Sequence, residues 1–119
     1  MMNTNFNERS GGMYSFSLEN EFHKEFAVIE YSEEKALNAL YEKEISFIKK
    51  LWERYYEDYT FSIEELKIAR NNLMKYMDLE LWENLSNKER KEQINLIYKL
   101  MAIVSYALEK DCALYGSGD

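Results

Sequence analysis

The sequence predicts a mostly α protein, an antiparallel up-down bundle of three long helices plus a shorter N-terminal one. Three observations predict it. Apolar residues recur at three- and four-residue spacings along most of the chain, as one face of a helix requires. Proline, which removes a hydrogen bond and clashes inside a helix, is absent. Two Ser-x-x-Glu patterns, Ser62 with Glu65 and Ser86 with Glu89, mark helix starts, because each side chain satisfies a backbone N–H that the first turn leaves unpaired. At 119 residues, 46% of them hydrophobic, the chain has material for one core and no room for a second. The expected organisation is a loose leader over 1–12, a single domain over 13–115 and a flexible tail over 116–119.

The first element has two readings. Leu18, Phe22, Phe26 and Ile29 share one helix face, with Glu19 and Glu21 in a first turn whose dipole favours acids. A helix from about 18 to 30 is therefore expected. The alternative is a β-hairpin over 13–31, which would make the fold α+β, because YSFSLE alternates as a strand does. The second helix opens at Ser32, a plausible N-cap. Its stripe of Leu37, Tyr41, Ile48, Trp52, Tyr55 and Tyr59 is widened by Leu40, Phe47 and Leu51. The ring-rich stretch LWERYYEDYTF then reads as the end of that helix, burying Trp52, Tyr55 and Tyr59. Phe61 and Leu66 stand at the two positions of a hydrophobic staple around the Ser62–Glu65 box. The third helix turns Ile63, Leu66, Ala69, Leu73 and Met77 inward. The fourth, from about 87 to 110, is apolar over so much of its surface that it belongs at the centre. Its stripe is Ile94, Ile97, Met101, Val104 and Leu108.

Composition excludes several function classes. Fifteen bases against 22 acids give a net charge of −7, which repels a phosphate backbone and argues against nucleic-acid binding. The longest apolar run, LMAIVSYAL, falls well short of the ~20 residues a membrane span needs. The polar start MMNTNFNERSGG has no signal-peptide pattern. Together with one cysteine, Cys112, it points to a cytoplasmic protein. One histidine, His23, is too few for a His-rich zinc or di-iron site, so no metal and no cofactor is expected. A small enzyme using His23 is the least favoured reading.

What remains is charge placement. Residues 1–12 and 86–119 are each neutral, so residues 13–85, with 16 acids and nine bases, hold the whole −7. One cluster is Glu53, Glu57, Asp58, Glu64 and Glu65 with Tyr56. The other is Asp78, Glu80 and Glu83 with Trp82, joined by Glu30, Glu33 and Glu34. Glu57 and Asp58 would end the second helix, where the dipole disfavours acids by about 0.3–1 kcal/mol each. Acids with Tyr and Trp suit a basic protein partner, since charge speeds encounter and rings anchor. The expected function is a small acidic inhibitor, immunity or antitoxin-like module for a basic protein such as a toxin or nuclease. A self-associating homodimer is the alternative.

Overall fold

The computed structural model describes residues 14–21, 23–41, 45–55, 57–79 and 88–118, the last two of the 57–79 stretch as backbone. These residues form an α+β domain, which corrects the expected helical bundle. Strands β1 (Tyr14–Leu18), β2 (Ala27–Ile29), β3 (Tyr59–Phe61) and β4 (Leu114–Gly118) make an antiparallel sheet in the order β2-β1-β4-β3. Helices α1 (Glu34–Tyr41), α2 (Ser46–Glu53), α3 (Ile63–Leu79) and α4 (Lys88–Glu109) pack with it.

Among the described residues no α-helix forms over 18–30; β1 is followed by a single 3-10 turn, Glu19–Glu21. The hairpin alternative is what the chain adopts, with Tyr14 opposite Ile29 and Phe16 opposite Ala27. The helical spacing lost to the alternation of Tyr14, Phe16 and Leu18 for a reason outside the segment. β1 has a second neighbour in β4, in register from Leu18 with Leu114 to Tyr14 with Gly118. Two ladders now satisfy the backbone of β1, where a helix would have left β4 with an open edge. The row Leu18, Leu114, Phe61 crosses three strands and is buried throughout.

The expected second helix also divides. Leu37, Leu40, Phe47, Ile48, Leu51 and Tyr55 are buried as its stripe requires. However, α1 lies against α4 whereas α2 lies against α3. The expected single helix is thus two helices with different partners. Beyond α2 the helix stops at Arg54, and Tyr59 belongs to strand β3. YTF alternates half-buried, exposed, buried and pairs with β4.

The third difference is the glycine-rich C-terminus, where residues 116–118, expected as flexible, complete β4. Its glycines answer close approach. A Cβ on Gly116 would meet the Tyr14 side chain, and one on Gly118 would meet the backbone of Tyr55. Tyr14 in turn stacks on Tyr55, with centroids 5.5 Å apart and planes at 19°.

The local signals around the last two helices hold. Ser62 N–H donates to Glu65 Oε1 at 2.9 Å and Glu65 N–H to Ser62 Oγ at 3.1 Å, a complete capping box. Phe61 and Leu66 are both buried. Leu66, Ala69 and Leu73 of α3 face the core, as do Ile94, Ile97, Leu100 and Val104 of α4. The box expected at Ser86 lies outside the described residues. Among the described residues no helix is long and apolar enough to cross a membrane.

Candidate functional site

The carboxylates expected to face a partner around α2, β3 and α3 are engaged within the chain. Lys50 Nζ donates to Glu65 Oε2 at 2.9 Å and to Tyr59 Oη at 3.1 Å, and Tyr59 donates to the same Glu65 oxygen at 2.8 Å. Glu57 pairs with Arg54 at 3.1 Å. Asp58 accepts from Tyr115 Oη at 2.7 Å and Ser117 Oγ at 3.2 Å, tying the turn before β3 to β4. Glu53 accepts from Tyr41 at 3.4 Å, and Glu64 lies 3.9 Å from Lys67. Lys50 and Arg54 also sit over the Tyr59 ring, at 5.2 and 5.5 Å from its centroid. The sequence assigned Tyr59 to a helix stripe and overlooked Lys50; the structure makes both the hub of a polar cluster.

These contacts leave their mark on proton affinity. Glu65, and after it Tyr59, holds the Lys50 ammonium above its usual pKa, against a smaller opposing effect of burial. Burial alone would raise Glu65, but hydrogen bonds from Lys50, Ser62 and Tyr59 together bring it below the usual carboxylate range. The bond to Asp58 raises Tyr115, with burial adding to it.

The second predicted cluster is only partly in view. Tyr56, Glu80, Trp82 and Glu83 lie outside the described residues, and Asp78 is described only as backbone in the last turn of α3. Of the acids expected to join it, Glu33 pairs with Lys99 at 2.8 Å and also accepts the Glu30 N–H at 2.8 Å.

A different acidic surface assembles at the other edge of the sheet. The connection from β1 to β2 carries Glu19, Glu21 and Glu25, all exposed and none with an ion pair or side-chain hydrogen bond among the described residues. Glu19 N–H donates to Ala113 O at 2.9 Å, which draws the connection against the chain leaving α4. Phe26 then meets Tyr106 of α4 with ring centroids 4.7 Å apart. Both rings stay open to solvent, Phe26 by 37% and Tyr106 by 40%. Glu109 lies one turn from Tyr106 on the same face, whereas Asp111, past the helix end, borders a hollow with Lys67 and Arg70 of α3. The bases here are Lys24 and Lys110, and Lys110 Nζ already lies 5.7 Å from the centre of the Tyr106 ring. An exposed ring pair whose one member sits on a connection rich in carboxylates without ion pairs among the described residues is suited to holding a cationic side chain. No sequence signal singled it out, because Phe26 was placed on a buried helix face.

No protein-family model, curated protein or solved structure matches the chain at a significant level.

Proposed function

We propose that this protein is a small acidic binding module of the cytoplasm, inhibitor, immunity or antitoxin-like, that captures a basic protein partner. The observation that supports this reading is the exposed Phe26–Tyr106 pair, with Phe26 on the same connection as the exposed Glu19, Glu21 and Glu25. Aromatic anchors carry binding energy, and facing charge of opposite sign accelerates encounter. The Glu57–Asp58–Glu65 cluster does not support it, because those carboxylates already have partners within the fold.

The test is capture from the native host by the wild-type chain and by a Phe26→Ala, Tyr106→Ala variant, followed by binding measurements on the protein recovered. A basic partner is expected, lost in the variant and weakening steeply from about 0.1 to 1 M salt, as the screening length falls from about 10 to about 3 Å. An acidic partner, a salt-insensitive complex or undiminished capture by the variant overturns the reading. Light scattering on the isolated chain reports self-association, the competing use of the same rings.

A further inference from the structure

A hollow of about 210 Å³ opens to solvent between α2, β3 and α3, lined by Ser46, Phe47, Lys50, Phe61, Glu65 and Ile68. Its floor is the Phe47–Phe61 pair, with centroids 5.0 Å apart, both rings otherwise buried. Its wall is Ile68, which leaves 53% of its surface exposed although apolar. The size decides the class of occupant. A dry cavity of roughly 150 Å³ holds benzene, whereas drug-sized ligands occupy about 300–1,000 Å³. One ring with a short substituent fits, and a nucleotide does not.

The polar rim decides the substituent. Lys50 is held in place by Glu65 and Tyr59, which take two of its three N–H groups; an ammonium has a third. Ser46 Oγ accepts from Asn72 Nδ2 at 3.1 Å, which leaves its own O–H to donate. Two donors thus border an apolar floor. The Glu65 carboxylate beside Lys50 cancels its charge and disfavours an anion, so a neutral acceptor is matched best. We infer that this hollow is a binding site for a small aromatic molecule bearing a neutral carbonyl, separate from the protein-binding surface at Phe26 and Tyr106.

Titration of the full chain with benzamide, followed by amide and methyl NMR shifts, tests the inference. Saturable shifts are expected at Phe47, Phe61 and Ile68, with Phe26 and Tyr106 unmoved. Benzylamine, which presents a cation where an acceptor is required, is expected not to bind. Ser46→Ala is expected to weaken benzamide roughly five-fold, the worth of one hydrogen bond. Ile68→Trp, at an exposed position, is expected to fill the hollow and abolish the shifts while the remaining spectrum stays native. Absent or non-saturating shifts, equal shifts in Ile68→Trp, or benzylamine binding as well as benzamide would each overturn it.

Discussion

Two acidic regions of this molecule have similar composition and opposite situations. Around α2, β3 and α3, five carboxylates all meet donors from the chain: Lys50, Arg54, Lys67, the Tyr41, Tyr59 and Tyr115 hydroxyls, and Ser117. At the β1–β2 connection, Glu19, Glu21 and Glu25 meet none among the described residues. The difference is that tertiary structure brings Lys50, Tyr41, Tyr115 and Ser117 to the first region, beside the local Arg54–Glu57 and Lys67–Glu64 pairs. At the second it brings the Tyr106 ring, over which Lys110 lies. Acid count along a sequence therefore does not identify an outward-facing surface. What identifies it is the supply of donors, and that depends on which distant elements fold against it.

The largest expected effect tests the element that delivers two of those donors. β4 brings Tyr115 and Ser117 to Asp58, and it is seated by Gly118, whose Cβ would strike the Tyr55 backbone. Because the obstacle is main chain, Gly118→Ala is expected to destabilise by about 3 kcal/mol, the upper end for overpacking. Urea unfolding should show a lower midpoint with an unchanged slope. A variant as stable as wild type would mean that β4 is not docked and that the clasp on Asp58 does not exist.

The hairpin and β4 also show where legibility stopped. The capping box at Ser62, the staple at Phe61 and Leu66 and the inward face of α4 depend on neighbours within a few residues, and they were readable. The strand state of 14–18 depends on residues 114–118, about a hundred positions away. Without that partner, the helical spacing of Leu18, Phe22, Phe26 and Ile29 was the stronger local pattern. The same cause hid the candidate site: Phe26 and Tyr106 become neighbours only once the β1–β2 connection meets α4. Gly116 and Gly118 read as flexibility because the side chain and backbone they make room for belong to Tyr14 and Tyr55, far away in sequence. Alternation in YSFSLE was the signal that spoke for the sheet, whereas YTF was read as the end of a helix.

Substitutions at the two regions should separate stability from binding. Asp58→Ala removes two hydrogen bonds at an exposed site and is expected to destabilise by about 1 kcal/mol, with partner binding unchanged. Replacing Glu19, Glu21 and Glu25 together by Gln should leave stability within about 0.5 kcal/mol and slow association roughly ten-fold at low salt. The comparison breaks if the triple variant unfolds more easily or if Asp58→Ala impairs binding. Chemical denaturation and stopped-flow association measure the two quantities.

Alkaline titration probes the first region separately, because two raised tyrosines flank it. Burial, followed by the Asp58 charge, raises the Tyr14 hydroxyl well above its usual value, and Tyr115 is raised by its bond to Asp58. A group raised on folding contributes stability that is complete below its unfolded pKa, about 10 for tyrosine, and is lost as pH rises towards the folded value. Stability should therefore fall above about pH 10 as the unfolded chain releases protons that the folded chain keeps. Tyr14 Oη is buried without a hydrogen-bond partner among the described residues. Tyr14→Phe should thus be no less stable at neutral pH, since it removes an unsatisfied hydroxyl, and its stability should decline less between about pH 10 and 12. Thermal unfolding across that range would show the flatter slope, and equal slopes would place the hydroxyl in contact with water.

The smallest expected effect falls at the outward end. Asp111 has φ of +52°, a left-handed conformation, where α4 stops. The N–H groups of Asp111 and Cys112 close that stop on Leu108 and Ala107 carbonyls at 3.0 and 3.1 Å. This is the position at which helices favour glycine, because a side chain there is strained. Asp111→Gly should raise stability by about 0.5–1 kcal/mol. If the carboxylate also belongs to the surface beside Tyr106, the same change should weaken partner binding several-fold. The opposite signs are the informative part: an acid held in an unfavourable conformation where glycine would be more stable fits selection for its charge. A variant that gains stability with binding intact would remove Asp111 from the surface and leave Glu19, Glu21 and Glu25 to carry it.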